Sequence, residues 1–185
     1  MIHSKKDLLM FMEADRIALG RKKVWRFWMA FIDPIWLFER ILRKREYYLN
    51  TQGKNPFKWI LAKYYGWRLL RIGLNLGFSI PPNVFGEGLC IWHYGTIIIH
   101  PKTKIGCNAQ LNADVVIGRN DAGETPIIGD NFMCSPGVKI CGGIILGNNV
   151  RCGLNAVVTK SFPDGNCVLV GIPARPLEKK RDVQC

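Results

Sequence analysis

The chain has 185 residues, 48% of them hydrophobic and 22% charged, and this balance excludes an intrinsically disordered protein. The formal net charge is +12, concentrated on the N-terminal side: residues 1–76 hold 16 Lys/Arg against 6 Asp/Glu, while residues 77–185 hold 10 against 8. This length allows one domain or two small ones.

The apolar runs and the cysteines narrow the class of protein further. The longest apolar stretch, residues 24–38, is interrupted by Arg26 and Asp33, so no segment reaches the roughly 20 residues of a membrane span. The short apolar run at residues 8–12 is followed at once by charges, which is not the pattern of a secretory signal. The cysteines form no CxxC pair, and no His/Cys set has metal-ligand spacing. We therefore expect a cytoplasmic protein without a bound metal.

Helix start signals occur at two places near the N-terminus. The first follows Ser4, where Asp7 three residues later completes a capping box, and the apolar stripe of this helix ends at Gly20. The second is Asp33-Pro34, an N-cap acceptor followed by a proline at the first helical position. Both are typical of α-helices that begin at these residues.

The second helix is broken at residues 50–53, and a third is predicted from Pro56 to about Leu76. Basic side chains are expected to cover the solvent face of the second helix: Arg40, Arg43, Lys44 and Arg45. Five tryptophans are expected in core or subunit contacts: Trp25, Trp28, Trp36, Trp59 and Trp67. Residues 1–76 are interpreted as a helical cap with a basic, solvated face; the alternative for the charge is an anionic partner, such as a membrane surface or a lipid-linked substrate.

From residue 78 onward the apolar residues follow a six-residue period, which neither a helix nor an amphipathic strand produces. Its members are Phe85, Ile91, Ile97, Ile105, Leu111, Ile117, Ile128, Cys134, Ile140, Leu146, Cys152 and Val158. Small or turn-forming residues follow most of them, as a short strand and a tight turn require. The period therefore predicts a β-solenoid with one inward side chain per strand.

Two steps depart from the period. The step from Ile97 to Ile105 is two residues longer, and the step from Ile117 to Ile128 ejects residues 120–126 as a loop. The pattern ends near residues 171–175. We therefore predict a helical cap at 1–76, a solenoid domain at 77–176 and a charged tail at 177–185.

Three segments resemble the hexapeptide-repeat acyltransferases, and most closely their serine acetyltransferase branch. They are residues 92–99 (Trp-His-Tyr-Gly-Thr-Ile-Ile-Ile), residues 137–140, and residues 155–160 leading to the Gly-Ile-Pro-Ala-Arg of residues 171–175. The resemblance covers residues 78–176 and implies a mainly β fold, a left-handed parallel β-helix with an N-terminal α-helical cap. It also implies acetyl-CoA as donor and a homotrimer with active sites between neighbouring solenoids.

The resemblance implies that His93 is the catalytic general base. An alcohol attacks a thioester poorly until a base takes its proton, and a neutral imidazole suits that task near neutral pH. Without the resemblance, a lone histidine would be interpreted as an ordinary core or surface residue.

The same resemblance implies the donor-binding residues. The pantetheine arm would lie along the groove between coils, at small residues matched here by Ser135, Gly137, Gly153 and Ala156. Cations near the nucleotide phosphates would be Lys160 and Arg175. Otherwise these are plain turn residues or solvated charges.

The acceptor side departs from the serine acetyltransferase pattern. Residues 78–82 hold no carboxylate where the family has an aspartate that orients the histidine, and Trp92 replaces a second aspartate just before it. Glu124-Thr125 stands where an Arg-His pair meets the carboxylate of the amino acid, and Glu124 would repel that carboxylate. Asp33 is a candidate acceptor contact from its position alone. His93 would then be oriented by a backbone carbonyl or by one of four carboxylates: Glu87, Asp114, Asp121 or Glu124.

These losses fit an acceptor without a carboxylate, and the chain also resembles acetyltransferases of bacterial capsule and surface-polysaccharide synthesis. Trp92 and Tyr94, on either side of His93, suit a sugar face. We therefore expect sugar O-acetylation, narrowly ahead of serine O-acetylation, with a non-catalytic β-helix scaffold as the competing class. Nucleic-acid binding is not expected, because no recognised motif accompanies the basic cap. Peripheral membrane contact through that cap would hold the protein at the inner face of the membrane.

Overall fold

The structure, a computed structural model, describes residues 1–22 and 33–177. Trp25 and Trp28, predicted for the cap, and the predicted tail from residue 178 onward lie outside the described residues. In the described chain three helices come first, α1 (Lys5–Ala18), α2 (Pro34–Thr51) and α3 (Pro56–Leu76), and short strands follow them.

Each described helix begins at a residue whose side chain caps it. The Ser4 hydroxyl accepts the Asp7 N–H at 3.0 Å, and the Asp7 carboxylate accepts the Ser4 N–H at 2.9 Å, which makes a complete capping box. Asp33 accepts the Trp36 N–H at 3.1 Å ahead of the proline that starts α2. Asn55 caps α3 in the same way. The predicted starts at Ser4, Asp33 and Pro56 are confirmed.

The strands are β1 (Phe78–Ser79), β2 (Cys90–Ile91), β3 (Ile97–Ile99), β4 (Lys104–Ile105), β5 (Gln110–Leu111), β6 (Val115–Gly118), β7 (Ile127–Ile128), β8 (Met133–Cys134), β9 (Lys139–Cys141), β10 (Ile145–Leu146), β11 (Arg151–Cys152), β12 (Val157–Val158), β13 (Val168–Val170) and β14 (Arg175–Pro176). Sheet A stacks β1, β3, β6, β9 and β12; sheet B stacks β4, β7 and β10; sheet C stacks β2, β5, β8, β11 and β13. These strands are parallel, and β14 closes sheet C by pairing antiparallel to β13.

Neighbouring strands of a sheet are one full coil apart in sequence. Ile97 pairs with Val115, and Lys139 with Val157, so these coils consist of three six-residue steps. The twelve residues of the six-residue period are all buried, with exposures between 0% and 5%. The predicted β-solenoid with an N-terminal helical cap is confirmed. Its core is narrow because the strands are only two to four residues long, so most of them bury one or two side chains.

Two of the inward residues are cysteines. Burial raises the pKa of both Cys134 and Cys152 to about 12. Their thiols therefore stay neutral and pack as small hydrophobic groups, as the period predicted.

A ladder of asparagines forms the corner between sheets B and C. Asn108, Asn131, Asn149 and Asn166 all have φ between +50° and +58°, a region that asparagine adopts more readily than other residues with a Cβ. Each side-chain amide donates to the next one: Asn108 to Asn131 at 3.0 Å, Asn131 to Asn149 at 2.9 Å, and Asn149 to Asn166 at 2.8 Å. The ladder keeps successive coils in register.

Both irregular steps of the period lie at the corner between sheets A and B. In the longer coil, the Thr103 N–H donates a 3.0 Å hydrogen bond to the His100 carbonyl, and this bond closes the turn. The larger insertion leaves the coil after β6 and returns at β7, and Asn120 and Glu124 close it, since each donates to a side-chain oxygen of the other. The predicted ejected loop is confirmed.

Buried charges join the cap to the open end of the solenoid. Arg43 is fully buried; its guanidinium donates to Asp15 at 2.7 and 3.1 Å and to Glu46 at 3.0 Å. It also donates to the carbonyls of Phe85 at 3.2 Å and Gly86 at 2.6 Å. The prediction that Arg43 faces solvent is wrong, because its charge is neutralised by carboxylates inside the protein and its remaining donors meet the first coil.

The carboxylates of the cap satisfy the N–H groups of the same coil. Glu46 accepts the Asn83 N–H at 2.7 Å, Asp15 accepts the Leu89 N–H at 2.9 Å, and Glu39 accepts the Ile91 N–H at 3.1 Å. The first coil has no earlier coil to pair with, so without these side chains its backbone groups would be unpaired beneath the helices.

Cap and solenoid share one continuous core. Phe38 of α2 packs edge-to-face on Phe78 of β1, with ring centroids 5.1 Å apart, and the same apolar cluster includes residues from Ile35 to Ala174. The predicted domain boundaries at residues 76/77 and 176/177 stay predictions. In the described residues, no helix is long and apolar enough to cross a membrane.

Candidate active site

Five turns that follow strands of sheet C stack above one another along one edge of the solenoid; the first four lead into sheet A, and the last leads into β14 of sheet C. They are residues 92–95, 112–114, 135–137, 153–155 and 171–173, and we refer to them together as the C–A ridge. Hydrogen bonds join successive turns: Gly137 N–H to the Ala113 carbonyl at 3.2 Å, and Asn155 N–H to the Pro136 carbonyl at 3.0 Å. With coils about 4.8 Å apart, the first turn and the fifth are about 19 Å apart.

His93 lies in the first turn of the C–A ridge, at the end nearest the cap. Its imidazole is exposed, and so are the rings of Trp92 and Tyr94 on either side. The Trp92 indole N–H contacts the Gln110 side-chain oxygen of the next coil at 3.4 Å. All three side chains are therefore open to a molecule arriving from solvent, and the imidazole stands between the two aromatic residues in sequence.

The end of α3 holds this turn in place. Gly95 N–H donates to the Leu76 carbonyl at 2.8 Å, and Ile97 N–H donates to the Gly77 carbonyl at 3.0 Å. Gly77 ends the helix with φ of +79°, and a Cβ there would lie 2.7 Å from the Gly95 carbonyl oxygen. The position of His93 thus depends on a close approach of two backbones. A glycine directly after a long predicted helix signals the end of that helix, although no prediction was drawn from Gly77.

The structure brings the small residues predicted to bind the donor onto the same ridge. Ser135 and Gly137 form its third turn, Gly153 begins the fourth, and Ala156 follows it. The N–H groups of Ser135, Gly137 and Gly153 already donate to backbone carbonyls of neighbouring coils. Ala156 is fully buried. A pantetheine arm along this edge would therefore contact a close-packed surface, because these N–H groups are already paired within the protein.

The two predicted phosphate-binding cations lie at different corners. Arg175 is exposed on β14, beside the fifth turn of the C–A ridge, where it pairs with Val170 of β13. Lys160 is exposed just after β12, at the corner where sheet A leads into sheet B. In one chain, Arg175 but not Lys160 therefore lies at the far end of the ridge that starts at His93.

Glu124 also lies at the corner between sheets A and B. We refer to the turns of that corner as the A–B ridge; they are residues 80–84, 100–103, 119–126, 142–144 and 159–161. Glu124 is exposed and packs over Gly143 of the next coil. Sheet A separates it from His93 in the same chain, so the two residues would meet only across neighbouring chains.

The four carboxylates named as orienters of His93 lie in different places. Asp114 occupies the second turn of the C–A ridge, one coil from His93, where it forms a 2.9 Å ion pair with Lys139. Asp121 and Glu124 belong to the ejected loop. Glu87 lies between sheets B and C, and its Oε2 is buried without a hydrogen-bond partner among the described residues. Asp114 is the nearest to His93 along the coil stack.

Asp33 has a structural role in the described chain. It caps α2 and forms an ion pair with Arg21, and its side chain is mostly buried. Both carboxylate oxygens thus already have partners. The structure does not bring Asp33 onto the C–A ridge through any of these contacts.

Sequence reasoning missed the buried carboxylates of the cap that contact the first coil. Burial raises the pKa of Glu39 well above its ordinary value, and the negative charge of Asp15 raises the pKa further. Burial raises the pKa of Cys90 to about 12, and the charge of Glu39 adds to the shift. No pattern signals such residues, because their backbone partners lie 37 to 74 residues away along the chain. In the described residues, no group of His, Cys, Asp or Glu side chains is arranged to hold a metal ion.

Comparison with known proteins finds serine acetyltransferases among the relatives of this chain. No protein-family model matches the chain. A serine acetyltransferase of Helicobacter pylori strain J99 is 32% identical over 109 residues, which are 57% of this chain and 63% of the relative. One of Staphylococcus aureus strain N315 is 35% identical over 101 residues, 52% of this chain and 47% of the relative. The chain thus spans less than two thirds of the length of these relatives.

Solved structures define the class of fold. The serine acetyltransferase of Neisseria gonorrhoeae superposes with a TM-score of 0.71 at 22% identity, over 95% of this chain and 68% of that one. The Brucella abortus serine acetyltransferase in complex with coenzyme A superposes with a TM-score of 0.67 at 21% identity, over 94% and 68%. The described helices and solenoid therefore have the fold of serine acetyltransferases, with the same order of cap and coils.

Proposed function

We propose that this protein is an acetyl-CoA-dependent O-acetyltransferase with His93 as its general base. The observation that carries the proposal is the C–A ridge, which begins at an exposed imidazole and ends beside the Arg175 guanidinium about 19 Å away. An extended acetyl-CoA has its thioester at one end and its phosphates at the other, so a ridge with a base and a cation at opposite ends matches both. The serine acetyltransferase relatives support the same activity.

The chemistry follows from the position of His93. The acceptor hydroxyl gives its proton to a ring nitrogen while its oxygen bonds to the thioester carbonyl carbon. The C–S bond then breaks, and the imidazolium returns the proton to the departing thiolate. Ser135, Gly137 and Gly153 would keep the edge narrow beside the arm, and Arg175 would pair with phosphate.

L-Serine is the acceptor that the comparisons favour, ahead of the sugar hydroxyl favoured by the sequence patterns. The relatives named above are serine acetyltransferases. A sugar stays the second candidate because of two features. The exposed rings of Trp92 and Tyr94 stand on either side of His93 in sequence, and aromatic rings are typical of sugar sites. In addition, Glu124 is acidic.

We propose a homotrimer in which each site lies between two chains. In a single chain the ejected loop and His93 occupy different ridges, on opposite sides of sheet A. A threefold arrangement would bring the A–B ridge of one chain, with Glu124 and Lys160, against the C–A ridge of the next. The described cysteines are unpaired, which supports the reducing cytoplasm as the compartment.

The acceptor is tested by incubating the protein with acetyl-CoA and following the release of free thiol. L-Serine is compared with a panel of sugars and nucleotide sugars, and the product is identified by mass. Turnover on L-serine is the expected result. Turnover on a sugar alone supports the second candidate, and absence of turnover on every acceptor, with acetyl-CoA still bound, supports a non-catalytic scaffold.

A further inference from the structure

The outer face of α3 is apolar although it faces solvent. The buried residues of this helix, Ala62, Leu69, Gly73 and Leu76, define the side that packs on the protein. On the other sides, large apolar side chains are 45–70% exposed: Phe57, Trp59, Ile60, Tyr64, Trp67, Leu70 and Leu74. Soluble proteins rarely expose so many large side chains on one element without a partner for them.

Three of these residues mark the middle of the face. Ile60, Trp67 and Leu74 are spaced seven apart, so they lie almost above one another along the helix, opposite the buried side. The exposed residues therefore form one stripe that runs for about four to five turns of the helix. We refer to this stripe as the outer face of α3.

The charges around the outer face all have one sign. Residues 47–86 contain no Asp or Glu, while α3 and the turn before it contain five cations: Lys54, Lys58, Lys63, Arg68 and Arg71. Two of them lie over exposed rings of the face: Lys63 Nζ is 5.5 Å from the Trp59 ring and the Arg68 guanidinium is 5.9 Å from that of Tyr64. The cations are therefore distributed within the apolar stripe and along its sides.

An apolar groove continues from the outer face onto the solenoid. It has a volume of about 700 Å³ and is lined by Trp67, Leu70 and Leu74 on one side and by Phe78 and Ile99 on the other. Arg45 and Lys63 also line it. The apolar and basic character of the outer face of α3 therefore continues into this groove.

We propose that the outer face of α3 docks on an anionic lipid surface. A second copy of the chain is the weaker candidate, because two such faces would bring together cations with no carboxylate on either helix to neutralise them. An anionic bilayer neutralises the cations and takes up the apolar side chains at the same time. The tryptophan, tyrosine and phenylalanine rings suit the zone between head groups and acyl chains. The proposal does not depend on which acceptor the His93 site uses.

The test is a vesicle flotation assay on the full chain, with phosphatidylglycerol-containing vesicles compared with pure phosphatidylcholine vesicles. The wild-type protein is expected to float with the anionic vesicles and to lose most of this binding at high salt. The triple variant Ile60→Ser, Trp67→Ser, Leu74→Ser is expected to bind at least roughly tenfold more weakly. The matched control is Leu9→Ser with Ile17→Ser, which removes equally exposed apolar side chains from α1 and leaves binding unchanged.

A second variant keeps the test decisive if the triple variant does not fold. Lys63→Gln with Arg71→Gln lowers the charge of the outer face and should weaken anionic binding by roughly tenfold, while Lys5→Gln with Lys6→Gln on α1 should have little effect. Failure of the wild-type protein to float, or equal binding to both kinds of vesicle, overturns the proposal. So does a change of oligomeric mass in the α3 variants without vesicle binding, which would assign the face to a second copy.

Discussion

The backbone N–H of Gly95 donates a 2.8 Å hydrogen bond to the carbonyl oxygen of Leu76, and this bond ties the turn that carries His93 to the last turn of α3. Gly77, the next residue, approaches the Gly95 carbonyl so closely that a side chain there has no room. The helical cap therefore does more than cover the end of the solenoid. It also holds the turn that carries His93.

The first prediction tests that contact. Gly77→Ala places a Cβ 2.7 Å from the Gly95 carbonyl oxygen and adds strain at φ of +79°, so kcat should fall and the free energy of unfolding should fall by roughly 1–3 kcal/mol. Gly20→Ala is the control, because Gly20 has φ of +65° but nothing within 4 Å of its Cβ position. Thiol-release kinetics and urea unfolding separate the two effects. Equal losses of kcat in both variants would contradict the link between α3 and the site.

The second prediction concerns the base itself. His93→Ala should lower kcat/KM for acetyl transfer by roughly 100-fold or more, because positioned general bases contribute about that much. Its stability should change by less than about 0.5 kcal/mol, since the imidazole is exposed. His3→Ala, at an exposed histidine of the cap, should change neither quantity. Full activity in the His93 variant would remove His93 from the mechanism.

The third prediction concerns the buried Arg43. Burial alone would lower the pKa of Arg43, but Asp15 and Glu46 outweigh burial and raise it, so the guanidinium stays charged. Arg43→Met leaves both carboxylates buried without their cation and should cost about 3–5 kcal/mol of unfolding free energy. Arg71→Met, at an exposed arginine of α3, should cost less than about 0.5 kcal/mol. A small loss in the Arg43 variant, measured by urea unfolding, would show that the cap does not need this network.

The fourth prediction is a pH dependence that arises from Glu39. Burial raises the pKa of this carboxyl in the folded protein above the ordinary value of about 4.5, so the folded state holds a proton that the unfolded state has already lost. The contribution of Glu39 to stability is therefore greatest below pH 4.5 and decreases as the pH rises toward the folded pKa. Glu39→Gln removes this decrease, so the variant should gain stability relative to wild type as the pH rises from acidic to neutral.

Urea unfolding of both proteins across that pH range checks the sign. Asp164→Asn, at an exposed carboxylate of the last coil, is the control, and its difference from wild type should stay nearly constant. A Glu39→Gln variant that becomes less stable than wild type with rising pH would show that the carboxylate is needed in its ionised form.

The sequence was sufficient where structure depends on local spacing. A side chain must point inward once in every six residues. The inward residues from Phe85 to Val158 could therefore be predicted, and so could the two places where the spacing breaks. The helix starts could also be predicted, because the side chains of Ser4 and Asp33 accept hydrogen bonds from N–H groups three residues away. Sequence spacing failed at Arg43, since a basic residue in a charged run has the same pattern whether it meets water or a buried carboxylate.

The repeating coil, the helical cap and one histidine in a motif typical of acyl transfer could thus be predicted from local spacing. Which residues are neighbours across coils could not be predicted without the three-dimensional structure. It put His93, Ser135 and Gly153 on one ridge, Glu124 and Lys160 on another, and left the outer face of α3 exposed. These relations depend on how many residues each coil contains and on where the helices pack. Both follow from many contacts between residues that are distant in sequence, and no short segment contains them.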